Sequence, residues 1–175
     1  MNGMQLLAII PLVPLLAVPA ILATARWPNV RETVSVLAGV LLFGLVVTLV
    51  GQVDSQAAPI LVLAEPFPGI TLALSPEPLG MLFALVAGFL WPVTTVYAIG
   101  YMRAHHEDNQ TRFYVAFAVS IAATMGIALS ANMLTLFLFY ELLTLATYPL
   151  VTHAGDDDAR RGGRVYLGLL MSTSI

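Results

Sequence analysis

Long apolar runs separated by short polar links organise this chain. Met4–Thr24 is apolar apart from Gln5 and carries Pro11, Pro14 and Pro19. About 20 helical residues at ~1.5 Å each cover the ~30 Å hydrocarbon core of a bilayer. The run therefore predicts a first membrane helix, in which prolines are tolerated where neighbours re-satisfy the freed carbonyls. A secretory signal is the rival reading, because Ala23-Thr24-Ala25 resembles a cleavage site. Against it, the start lacks a positive region and the apolar run is too long. Arg26 to Glu32 read as a polar link, and a second span follows at Thr33–Val53.

Between Asp54 and Glu77 the pattern changes period. Ile70, Leu72 and Leu74 alternate with Thr71, Ala73 and Ser75, the mark of a half-buried strand. Ile60–Glu65 and Gly69–Ser75, flanking Pro66-Phe67-Pro68-Gly69, predict a β-hairpin lying on the membrane surface. Ser75-Pro76-Glu77-Pro78 opens the third span: Ser75 can cap it, Pro76 suits its first turn, and Glu77 favours the positive helix end. That span runs to Met102, with Pro92 as a kink. A polar loop, Arg103–Arg112, leads to a fourth span at Phe113–Ser130. Only Ala131 and Asn132 separate it from the Glu141 helix, the fifth span, within the stretch Asn132–His153, so spans four and five are antiparallel neighbours. After the charged stretch GDDDARRGGR, a last apolar run from Val165 stops at Ile175, about half a span. The fold class is an all-α polytopic transmembrane bundle with a short external hairpin before the third helix. Five full spans and a partial sixth lead to the expectation that residues 1–175 are the N-terminal part of one longer transmembrane domain.

Composition agrees. The chain is 59% hydrophobic and 10% charged, against about a quarter charged in soluble domains, so it cannot solvate itself as a soluble fold. A net charge of −3 gives no reason to expect nucleic acid. With no cysteine, disulfides, thiolate metal sites and iron–sulfur clusters are excluded within these residues. All seven basic residues are arginine, at 26, 31, 103, 112, 160, 161 and 164. They fall in the links after spans one, three and five. The positive-inside rule then puts those links in the cytoplasm and the N-terminus and hairpin outside, an orientation for a cell inner membrane.

The candidate chemistry centres on Glu141, in the middle of NMLTLFLFYELLTLATYPLVTH. A carboxylate at that depth costs about 2.5–3.5 kcal/mol on insertion scales and is too short to reach water. At about 100° per residue, Thr144 and Tyr148 share its helix face, with Phe137 one turn before. Hydroxyls on that face can solvate a carboxyl and anchor the ordered water a proton path needs. Thr147 and Pro149 predict a distortion further along. The plainer alternative is a neutral glutamic acid acting as packing glue between helices. His153, about 18 Å beyond Glu141 along the axis, reads as an interfacial residue beside the acidic loop; proton entry is its other reading. His105-His106-Glu107-Asp108 reads as a solvated loop rather than a metal site, since adjacent residues rarely point at one ion. Asp156-Asp157-Asp158 with Arg160 and Arg161 reads as a solvated turn. No nucleophile–base pair, phosphate loop or cofactor motif is present, so neither a cofactor nor a metal is expected.

YMRAHHEDNQTRFYVAF, then LFLFYELLTLATYPLVTH, then the YLG of the sixth helix together resemble the antiporter-like membrane subunit family. The likeness runs from about Gly69 to the end. That family includes the D-type subunit of Mrp Na⁺/H⁺ antiporters and the proton-pumping subunits of respiratory complex I and membrane-bound hydrogenases. The neighbourhood of YELLTLATYPLVTH resembles the Mrp D-type subunit more than complex I. The resemblance implies about fourteen membrane helices, an external N-terminus and an external hairpin. It also implies that Glu141 matches a glutamate that pairs with a lysine on a seventh helix. No lysine occurs here, so these residues carry half of that ion pair and are expected to conduct nothing alone.

The resulting expectation is a membrane subunit of a cation/proton antiporter, with Glu141 as its proton-exchanging carboxylate. Its partners would be other membrane subunits, H⁺ with Na⁺, and the lipid bilayer. One alternative is a proton-pumping subunit of an NADH-quinone oxidoreductase or hydrogenase-type complex, a translocase component without its own redox site. A non-conducting scaffold or truncated remnant is the alternative of another class.

Overall fold

The computed structural model describes residues 2–52, 59–153 and 157–174. Along the chain lie α1 (Gly3–Ala23), α2 (Pro28–Gln52), β1 (Leu61–Phe67), β2 (Ile70–Leu74), α3 (Pro78–Ala104), α4 (Gln110–Ala128), α5 (Met133–Val151) and α6 (Asp157–Ser174). The first five helices are each long and apolar enough to cross a bilayer, which makes this a multi-pass membrane protein. The expected bundle with a small hairpin is what forms. Val53, Asp54, Asp156 and Ile175, used above to bound elements, lie outside the described residues.

α1 packs on α2 and α4, α2 on α3, α4 on α3 and α5, and α5 on α6. The core gathers Leu6, Leu7 and Ile10 of α1, Leu42 of α2, Trp91 of α3 and Met125 of α4, all buried. The three prolines of α1 sit inside an unbroken helix. Glycines at three positions let helices approach closely, Gly80, Gly126 and Gly163. A Cβ on Gly80 of α3 would lie 1.9 Å from the carbonyl oxygen of Ala128, and one on Gly126 of α4 would lie 2.2 Å from the Phe139 ring of α5.

Several local readings need correcting. Arg26–Glu32 is not all link: Pro28 starts α2, so Arg31 and Glu32 lie within the helix and are buried. Glu77 takes the N-cap position of the third helix without a side-chain cap bond, and Pro78 lies in its first turn. Ser75 is not the cap; it is buried and donates its backbone N–H to Leu129 O at 2.7 Å. Arg103 belongs to the last turn of α3 rather than to a loop. The stretch holding Asp157, Asp158, Arg160 and Arg161 is the opening of α6, not a turn. Two carboxylates in its first turn complement the positive helix end, which offsets the cost of two glycines behind them.

The hairpin turn is tighter than expected, with Phe67 paired to Ile70 across Pro68 and Gly69. Gly69 takes φ +82°, the left-handed conformation that glycine adopts without penalty. Pro66 is tolerated in β1 because the register slips between Ala64 and Phe67, so no ladder bond is asked of it. Burial along β2 does not alternate. It rises from an exposed Ile70 to a buried Ala73 and Leu74, because the end of β2 is clamped by the α4–α5 turn. Leu74 bridges Ser130, Ala131 N donates to Ala73 O at 2.9 Å, and Ala73 N donates to Thr135 Oγ1 at 3.0 Å. Asn132 caps α5 by accepting from Thr135 N and also donates to Thr71 O at 2.8 Å.

Candidate functional site

α5 inverts the soluble pattern of burial. Its fully buried residues are Thr135 and Thr144, while Leu138, Leu142 and Leu145 are exposed. In a bilayer this is the cheap arrangement, because lipid receives leucine at no cost and hydroxyls need protein partners. Glu141 is half-buried on this helix. Its Oε1 is buried and has no hydrogen-bond partner among the described residues.

Thr147 and Tyr148 lie on the side of α5 that meets α6. Thr144 Oγ1 donates to Tyr140 O at 3.1 Å, which leaves it only lone pairs to offer. Thr147 Oγ1 likewise reaches Leu143 O at 3.0 Å and lies 3.2 Å from the hydroxyl of Tyr166 on α6. Tyr148 packs near Gly163 of α6, where a Cβ would lie 3.0 Å from its ring and 2.3 Å from Thr152 Cγ2. Tyr148 also lines a cleft of about 530 Å³ with Asp157, Asp158, Arg160, Arg161 and Arg164. Thr147 and Tyr148 of α5 thus meet α6 at Tyr166 and Gly163, with Glu141 and Thr144 earlier along the same helix. Tyr166 was missed because nothing in its own apolar run distinguishes it; only the α5–α6 contact does.

His153 stands apart, just beyond the end of α5. Its ring meets Phe113 edge-on at 5.7 Å, and both ring nitrogens are buried without a hydrogen-bond partner among the described residues. Arg112 donates to the carbonyls of Thr152 and His153 at 3.2 Å each. His105 is held by its own helix, stacked on Tyr101 at 4.3 Å with Nδ1 3.0 Å from Tyr101 O.

A second polar cluster joins α2, α3 and α4 at the arginine-bearing end. Glu32 and Arg31 are each 4% exposed. Arg103 Nε donates to Glu32 Oε1 at 3.3 Å, and Arg103 Nη2 reaches both Glu32 Oε2 and Asn29 Oδ1. Arg31 donates to Thr111 Oγ1 at 2.9 Å and Gln110 Oε1 at 2.7 Å, with its guanidinium 5.2 Å from the centre of the Tyr114 ring. Arg31 Nε and the Tyr114 hydroxyl are buried without partners among the described residues. One sequence signal for this cluster existed. Ser35, Gly39, Leu42, Val46 and Leu49 form the buried stripe of α2, and counting back four from Ser35 gives Arg31.

No family model matches the chain. In sequence it is similar to Na(+)/H(+) antiporter subunit A1 of Staphylococcus aureus (strain bovine RF122 / ET3-1), 29% identical over 84 residues. The match covers 48% of this chain and 10% of that protein, and strain JH9 gives the same figures. In structure it superposes on a chain of the membrane-bound sulfane sulfur reductase, an archaeal respiratory membrane complex, with a TM-score of 0.82 and 17% identity. That superposition covers 97% of this chain and 35% of the other. The class so defined is a multi-pass membrane protein with the fold of a respiratory-complex membrane chain. The partial antiporter match supports the resemblance to antiporter-like membrane subunits, the kind found in Mrp-type antiporters and respiratory complexes.

Proposed function

We propose that this chain serves a cation/proton antiporter as a membrane subunit of the Mrp D type, with Glu141 as the proton-exchanging carboxylate. The observation that carries this reading is the buried, unpartnered Glu141 Oε1 on a membrane-length helix. A carboxyl in that setting binds a proton when neutral and requires a mobile counter-charge when ionised, which is how proton occupancy couples to a second ion. Thr144 and Thr147 spend their hydroxyl protons on backbone carbonyls. Their lone pairs remain for water or for a protonated Glu141. The Tyr166 and Tyr148 hydroxyls extend this line to the cleft at the arginine-bearing end, where protons would enter from the cytoplasm. His153 contributes entry from its place beside α5. Other membrane subunits, H⁺ and Na⁺, and the bilayer are the partners, in a plasma membrane with the N-terminus outside.

A proton-pumping role in a respiratory complex is the second reading, favoured by the structural likeness to a chain of such a complex. The test is Glu141→Gln in the full-length protein with its accompanying subunits, assayed in everted vesicles by Na⁺-dependent collapse of a pH gradient. Loss of the signal is expected, with part retained in Glu141→Asp. Unchanged exchange in Glu141→Gln would make the residue structural and favour a non-conducting scaffold.

A further inference from the structure

Between α2 and α3, beside the Glu32 cluster, runs a groove of about 370 Å³ lined by Asn29, Glu32, Thr33, Val36, Leu37, Ile99 and Arg103. It has two chemically distinct halves. Val36, Leu37 and Ile99 form an apolar floor that runs into the span, while Asn29, Thr33, Glu32 and Arg103 surround its mouth. We infer that this groove holds one anionic phospholipid, with an acyl chain on the apolar floor and the headgroup phosphate on Arg103.

The hydrogen bonds select that occupant. Arg103 uses Nε and Nη2 on Glu32 and Asn29. Its Nη1 donates to nothing among the described residues, and 51% of its side chain is open. Glu32, itself 5% exposed in its side chain, fixes the guanidinium in place, so presenting Nη1 costs little further entropy. A phosphate oxygen is the acceptor this geometry suits. The carboxylate and amide oxygens at the mouth already receive a donor: both Glu32 oxygens and Asn29 Oδ1 receive Arg103. An ammonium headgroup therefore meets a fixed cationic guanidinium beside oxygens that already carry a donor, with the Thr33 hydroxyl lone pairs as its remaining acceptor. Two arginines against one carboxylate leave the cluster with a single net positive charge, which again favours an anionic lipid.

The test uses the full chain in detergent, titrated separately with phosphatidylglycerol, phosphatidylethanolamine and phosphatidylcholine. Retained lipid is read by native mass spectrometry, and inorganic phosphate serves as a headgroup-only probe in thermal unfolding. Phosphatidylglycerol is expected to be retained about fivefold over either zwitterionic lipid, the discrimination one basic group near an anionic surface supplies. Arg103→Gln removes the charge and is expected to erase that preference, whereas Arg103→Lys keeps the charge, loses the fork, and is expected to keep part of it. Leu37→Trp fills the groove from an exposed position, leaving the ion pairs intact. It is expected to lower phosphatidylglycerol retention without changing the lipid-free unfolding midpoint. Equal retention of all three lipids, or a Leu37→Trp chain that retains phosphatidylglycerol normally, would overturn the site. Phosphate alone stabilising the chain as strongly as the lipid would overturn the assignment to a lipid.

Discussion

The Glu32 carboxylate is 4% exposed, whereas half of the Arg103 side chain is open to its surroundings. That asymmetry decides how the pair responds to mutation. Removing Arg103 leaves a buried carboxylate with Arg31 as its nearest cation, at 3.8 Å, and uncompensated buried charge is the costly case. Removing Glu32 leaves Arg103, which water or a headgroup can solvate, and the buried Arg31, which keeps its bonds to Thr111 and Gln110. Arg103→Ala should therefore unfold at a lower temperature than Glu32→Ala, and the double variant should recover part of the loss. Circular dichroism melts in detergent read the order; a double variant whose loss equals the sum of the two single losses would mean the pair is not coupled. Glu141 differs in kind, because its unpartnered oxygen is a cost that the fold carries without a compensating contact among the described residues.

At the scale of elements, the close approaches at Gly126 and Gly80 differ in what stands opposite the glycine. Opposite Gly126 is the Phe139 side chain, and opposite Gly80 is the Ala128 backbone. A ring can be removed, and a carbonyl cannot. Gly126→Ala should cost about 1–3 kcal/mol, as overpacking does, and Phe139→Leu in the same chain should return most of it. Gly80→Ala should destabilise the α3–α4 junction with no such rescue at a single side chain. Unfolding midpoints of these variants decide this, and a Gly80→Ala chain as stable as the parent would contradict the close approach. The clamp of β2 on the α4–α5 turn belongs to the same scale. It joins Ala73 to Ala131 and Thr135, residues about sixty positions apart in the chain, so the foot of the Glu141 helix is tied to the hairpin.

For the whole molecule, the arginines gather at one end of the bundle and the hairpin at the other. The absence of cysteine makes the orientation directly measurable. A single cysteine at Pro68, in the hairpin turn, should react with a membrane-impermeant maleimide in intact cells. One at His106, in the α3–α4 connection, should react only after permeabilisation. The opposite pattern would invert the proposed topology.

By itself the sequence determined the five spans, the hairpin and the single mid-span carboxylate. Each of these is a property of a contiguous run: lipid rewards about twenty apolar residues wherever they occur, and a lone glutamate among them stands out without reference to any neighbour. Tertiary structure alone decided which distant side chains meet. Arg103 reaches Glu32 from 71 positions away, Arg31 reaches Thr111 across 80, and Tyr166 comes to Thr147 only because Gly163 lets α6 close on α5. Such contacts depend on helix phase and packing distance. A link of polar residues and the buried start of a helix look alike until a facing helix supplies the partners.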